Sequence, residues 1–198
     1  MRDYLLHWAA LAHKTGGLIR LDNLHSSYGP FIKWVLQELR NKYPGIGVFS
    51  EYFEAPGKLT KGVYQWGLNL LLGNTWEYPF VPQLENYLKS VHTSGELRYL
   101  LMPTTHDTES VSHLFGGPDS IVPRYFACTL MGTGQTGLTM GSEWGEPEKI
   151  EFIKREERHI LSHNSDYREI IREINKLHGE NQIFRTMGNG ELLPAPSD

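Results

Sequence analysis

An α/β fold built on parallel strands is the class this sequence predicts, and three observations predict it. Short apolar runs alternate with segments of helical periodicity about five times along the chain. Three of those runs are followed by an acid, at Asp22, Glu51 and Asp107. Glycine and proline separate the periods, as at Gly16-Gly17, Pro44-Gly45 and Gly116-Gly117-Pro118. Strand and helix in alternation favour a parallel sheet with right-handed crossovers. Acids at the carboxyl ends of buried strands are laid out as in α/β enzymes, where chemistry collects at that rim.

In order, Tyr4, Leu5, Trp8, Leu11 and Ala12 stand at helical spacing over residues 4–12. A buried strand follows at 17–22, where Leu18, Ile19 and Leu21 lead into Asp22. Pro30 fits a first helical turn, and Phe31, Trp34, Val35 and Leu39 form one apolar stripe. Ile46-Gly47-Val48-Phe49 repeats the strand pattern and delivers Glu51. Residues 54–64 read as loop, with Pro56-Gly57 and Gly62, and 66–70 as a weaker strand. Leu84, Tyr87, Leu88 and Val91 step along another helix face. Leu97 to Met102 is a strong strand running into His106-Asp107.

Ile121, Tyr125, Cys128 and Thr129 fit a helix with Pro123 in its first turn, and 137–141 reads as a short strand. A last helix over 166–178 opens on Asp166 with Glu169 three residues on, as in a capping box, and turns Tyr167, Ile170, Ile171, Ile174 and Leu177 inward. Residues 1–187 make one domain in this reading, and 188–198 a loose tail. Periodicity alone leaves two architectures open, an open sheet or part of a barrel.

The 198 residues suffice for one substantial core. With 19 basic and 23 acidic residues the formal charge is -4, so no basic field exists to hold nucleic acid. No apolar stretch reaches the length of a membrane span or a signal-peptide core, and a cytoplasmic location is expected. Five Trp, ten Tyr and eight Phe in a chain of mean hydropathy -0.41 suit apolar faces meeting hydroxyl-rich ligands. Cys128 has no disulfide partner and reads as a small buried hydrophobe. His106-Asp107 is the pair that reads as metal-binding, but no second cluster accompanies it, so neither metal nor cofactor is expected.

Asp22, Glu51 and Asp107 would face one cleft in a parallel arrangement. Two converging carboxylates are what glycoside cleavage needs, one to attack the sugar carbon and one to protonate the leaving oxygen. Arg20 lies two residues before Asp22, on the same strand face, and would hold its carboxylate; Asp22 therefore suits the nucleophile and Glu51 the acid. Singly, each acid also reads as a helix cap or a surface group. Glu143 and Trp144 either line the cleft or close a loop, and Trp66 and Trp76 either stack on sugar or pack in the core.

These motifs resemble the α-amylase family of glycoside hydrolases and transglycosylases. Gly17-Leu-Ile-Arg-Leu-Asp-Asn-Leu-His25 looks like the family's fourth-strand motif, Phe49-Ser-Glu-Tyr52 like its fifth and Thr105-His-Asp107 like its seventh. Met140-Gly-Ser-Glu-Trp-Gly145 is similar to the segment after its eighth strand. The resemblance implies the second half of a catalytic (β/α)8 barrel: a partial TIM barrel of about five parallel strands, lacking the first three strands and the carboxyl-terminal β domain. It implies Asp22 as nucleophile, Glu51 as general acid/base and Asp107 as the third acid, with Arg20, His25 and His106 binding substrate.

The implied activity is α-retaining hydrolysis or transglycosylation of α-glucans or maltooligosaccharides through a covalent glycosyl-aspartate. His25 three residues after Asp22 resembles the maltosyl-transferring branch that uses maltose phosphate. A partner chain or an amino-terminal half would complete the barrel. The alternative is a catalytically incomplete fragment or glucan-binding remnant.

Overall fold

The computed structural model describes residues 2–94, 97–151, 153 and 165–186. The tail expected over 188–198 lies outside them. The chain divides into two compact units, Met1–Leu72 and Gly73–Asp198.

In the first unit, helix α1 (Arg2–Thr15) precedes strand β1 (Leu18–Leu21), and helix α2 (Gly29–Lys42) carries the chain to strand β2 (Gly47–Ser50). Helix α3 (Pro56–Lys61) runs into a π-helical turn over Gly62–Trp66 before strand β3 (Leu70–Leu72). β1 and β2 pair in parallel with Leu18 opposite Gly47 and Leu21 opposite Ser50; β2 and β3 pair in parallel through Phe49 opposite Leu70. Parallel neighbours need a crossover, and the helices between them supply it. Val48, Leu39, Leu36 and Leu71 are almost fully buried and form the centre of this unit's core.

Several elements differ from expectation for physical reasons. The α2 stripe is Ile32, Val35, Leu36 and Leu39, at i, i+3, i+4 and i+7. Trp34 lies on the outer side, its ring 5.8 Å from that of Phe31 and beneath the Arg2 guanidinium. On α1 only Ala9 is buried, and Tyr4, Trp8 and Leu11 are exposed. The loop expected over 54–64 is helical from Pro56. Proline at the first turn starts a helix, and the Glu54–Lys58 ion pair at 2.9 Å supports it. Gly62 serves packing rather than turning: a Cβ there would meet the Tyr52 ring at 2.9 Å. The helical extension uses up residues 62–66, so the strand expected at 66–70 starts at Leu70.

In the second unit, helix α4 (Val81–Thr93), strand β4 (Tyr99–Leu101), helix α5 (Val111–Leu114), helix α6 (Ile121–Leu130), strand β5 (Gln135–Thr136) and helix α7 (Arg168–Glu180) follow in order. β4 and β5 are parallel, with Leu101 opposite Thr136, and the Gly137 N–H still donates to the Leu101 carbonyl at 3.2 Å. The expected strand at 137–141 is thus displaced toward the amino terminus. Ser110 caps the unanticipated α5, its Oγ accepting from the His113 N–H at 3.1 Å.

Ile121, Tyr125, Cys128 and Thr129 are all buried, as the α6 stripe requires. On α7 only Ile171 and Ile174 are buried, packing with Tyr125; Ile170 and Leu177 are half exposed. Asp166 accepts the Arg168 N–H at 3.1 Å, so it caps two residues ahead of itself rather than through Glu169. No helix among the described residues is long and apolar enough to cross a membrane.

The Ser50 hydroxyl is fully buried, with no hydrogen-bond partner among the described residues. Removing an unsatisfied buried hydroxyl is favourable by about 1 kcal/mol, so Ser50→Ala should raise the denaturation midpoint. Burial pushes the Cys128 thiol up to about 12, which keeps it neutral at physiological pH. The native protein should resist iodoacetamide and react only when unfolded; rapid native labelling would contradict the burial.

Candidate active site

β1 alternates exposed and buried residues, so Ile19 and Leu21 enter the core while Leu18 and Arg20 take the opposite face. That alternation sends the Arg20 guanidinium away from the core, toward the strand's carboxyl end. Asn23 directly after Asp22 adopts a left-handed conformation, φ 48° and ψ 46°, one that asparagine tolerates better than most residues. The chain then forms a short 3-10 turn over Leu24–Ser26, fixed by the buried Leu24 and presenting His25.

Backbone bonds continue the β1–β2 ladder into the site. The Glu51 N–H donates to the Leu21 carbonyl at 3.0 Å, and the Leu24 N–H donates to the Glu51 carbonyl at 2.8 Å. Asp22 and Glu51 are thereby held side by side at the tips of neighbouring strands. Arg20 bonds to both: Nη1 donates to Asp22 Oδ1 at 2.5 Å and Nη2 to Glu51 Oε2 at 3.3 Å. The Asn23 N–H also donates to Glu51 Oε2, at 3.1 Å.

The two carboxylates differ in access. The Asp22 side chain is 70% exposed and that of Glu51 only 15%. His25 is exposed, its ring centroid 5.6 Å from that of Phe53. Phe53 was missed in the sequence; its position two residues past Glu51 at a strand end was the available signal. Tyr52 is buried against Trp66, 5.6 Å between ring centroids, which favours core packing for Trp66. Burial, and next the charge of Glu54, push the Tyr52 phenol up, so it stays neutral.

In the second unit β4 leads through buried Thr104 and Thr105 to half-exposed His106 and Asp107. The Asp107 N–H donates to Thr105 Oγ1 at 3.2 Å, and the Thr105 N–H to Thr108 Oγ1 at 3.0 Å, so threonine hydroxyls shape the turn that presents the acid. His106 Nε2 lies 3.1 Å from Asp107 Oδ2. No group of His, Cys, Asp and Glu able to hold a metal ion occurs among the described residues.

Glu143 closes its own turn: Oε2 accepts the Gly141 N–H at 2.8 Å, and Gly141 at φ 99° makes that turn possible. Arg168 lies over the Trp144 ring at 4.0 Å. Both residues of this segment therefore have structural partners.

Helices alternating with parallel-paired strands, with acids at strand tips, define an α/β fold. No protein-family model and no curated protein matches the sequence. Solved structures do resemble it. A noncanonic maltogenic α-amylase from Thermotoga neapolitana matches 93% of the chain at TM-score 0.66 and 13% identity, over 45% of its own length. An α-amylase from Lactobacillus plantarum matches 94% at TM-score 0.59 and 13% identity, over 48% of its length. The chain thus spans about half the length of these enzymes, and the likeness shows the fold.

The Asn23 backbone offers a direct test of the turn that follows Asp22. Asn23→Gly should leave stability nearly unchanged, whereas Asn23→Val should lose about 1–2 kcal/mol in chemical denaturation, since a β-branched residue strains in the left-handed region.

Proposed function

We propose that this chain carries catalytic residues of an α-retaining glycoside hydrolase or transglycosylase acting on α-glucans. The observation that carries this reading is the Arg20 guanidinium shared by Asp22 and Glu51 at adjacent strand tips. The motif resemblance and the amylase-like fold support it. In this reading the strands form part of a (β/α)8 barrel, and further protein, from the same polypeptide or a partner chain, completes the sugar subsite.

Asp22, the more open carboxylate, attacks the anomeric carbon while the bond to the leaving oxygen breaks. Glu51 gives that oxygen its proton. The Asn23 amide and Arg20 engage Oε2 of Glu51, so the proton is carried on Oε1. The resulting glycosyl-aspartate is released when Glu51, now a base, takes a proton from water or an acceptor sugar hydroxyl as that oxygen attacks. Arg20 positions both acids. Asp107 is assigned the third carboxylate and His106 and His25 sugar-hydroxyl contacts, all on their motifs.

Turnover of maltooligosaccharides or of an activated α-glucoside tests this reading. Asp22→Asn should reduce kcat by about a thousandfold or more, and with an activated fluoroglycoside the wild type should carry a glycosyl adduct on Asp22 visible by mass spectrometry. Arg20→Met should lower kcat while leaving the fold intact by circular dichroism. A folded wild type that binds maltooligosaccharide without turnover would establish the glucan-binding alternative instead.

A further inference from the structure

Within the second unit, a cavity of about 420 Å³ lies between α4 and α6, lined by residues with no part in the chemistry above. Its walls are apolar at successive helical turns: Val81, Leu84 and Leu88 from α4, Pro123 and Ala127 from α6, and Met131 just after its end. The seven steps from Val81 to Leu88 span about 10 Å at 1.5 Å per residue, the length of an extended chain of about eight carbons. Such a volume is ordinary for a small-molecule site.

One cation reaches this channel near the first turn of α6. Arg124 is 9% exposed, and its guanidinium stacks on the Phe115 ring at 3.7 Å. Nη1 donates to the Tyr78 carbonyl at 2.7 Å and Nη2 to the Pro79 carbonyl. These bonds leave part of the five-donor guanidinium uncommitted. No carboxylate is among its hydrogen-bond or ion-pair partners in the described residues.

A buried cation without a counter-charge is costly, and burial pushes the Arg124 guanidinium down from its ordinary value. The other polar groups lining the channel are already engaged: Glu85 pairs with Lys89 at 2.5 Å, and the Ser120 hydroxyl donates to the Gly117 carbonyl at 2.6 Å. The first turns of α4 and α6 both lie at this wall, and helix starts favour negative charge.

We infer that this cavity is a binding site for a medium-chain aliphatic carboxylate, its carboxylate paired with Arg124 and its chain lying along Leu84, Leu88, Ala127 and Met131. Charge complementarity selects the head group, and the apolar walls select the tail. The site is independent of the carboxylates at the strand tips.

Isothermal titration of octanoate into the full chain is the test, with 1-octanol and inorganic phosphate as separate probes. Octanoate should bind, while octanol and phosphate each bind at least about tenfold more weakly, as expected when an ion pair and an apolar contact both contribute. Arg124→Met should weaken octanoate by about tenfold or more and leave octanol unchanged. Ala127→Phe fills the channel and should abolish octanoate binding without touching the cation, which keeps the test decisive if Arg124→Met fails to fold. Octanol or phosphate binding as tightly as octanoate, unaltered octanoate affinity in either folded variant, or no octanoate binding by the wild type would overturn the assignment.

Discussion

The arrangement at the strand tips depends on one constraint, the parallel register that sets Leu21 opposite Ser50. Given that register, the next residue of each strand is an acid, and the two acids emerge beside each other. Two carboxylates at close range repel, and their separation would widen without a cation between them. Arg20 is on the exposed face of β1, two residues before Asp22, so its guanidinium reaches past the strand end and bonds both. A shift of one residue in the pairing would turn Arg20 to the core face and separate the acids. The buried Ile19, Leu21 and Val48 prevent that shift, because it would expose them. Core packing on one face of the sheet thus fixes polar geometry on the other.

The same neighbourhood makes two chemically identical groups unequal. Glu51 follows a strand whose residues pair on both sides, β1 on one and β3 on the other, and its side chain is largely covered. Asp22 follows β1 and stands at a sharp left-handed turn, where solvent reaches it. A covered carboxyl suits proton transfer in a confined space, and an open one suits attack on an incoming carbon. The inequality arises from strand position and backbone turn rather than from the side chains.

Much of this was legible in the sequence because it depends on period and punctuation. The apolar runs before Asp22 and Glu51 identified both strands, and the two-residue offset of Arg20 from Asp22 identified the shared face. What escaped depended on contacts distant in sequence. The α3 helix was hidden because Gly57 and Gly62 read as breakers, whereas Gly62 answers to the Tyr52 ring. Trp34 fits an apolar stripe by hydrophobicity, but its actual neighbours are Phe31 and Arg2 on the outer surface. Glu143 could be placed near a strand end by pattern, yet its carboxylate is used by the Gly141 amide, a bond that no periodicity encodes. His25 next to Phe53 is a further case, since the two belong to different strand ends.

Arg20 and Arg124 illustrate how little residue type alone decides. Arg20 is part exposed and bonded to two carboxylates, so its charge is neutralised by groups the chain itself supplies. Arg124 is more deeply buried, stacks on a phenyl ring and bonds backbone carbonyls, which carry only partial charge. The first cation organises anions already present; the second has none among the described residues while standing at the wall of an apolar channel. In a medium of low polarisability a formal charge facing dipoles alone is less stable than one facing a formal countercharge. A ligand that brings an anion to Arg124 therefore gains more than the same anion would at the solvated strand tips, where Asp22 and Glu51 already neutralise Arg20 and would repel it.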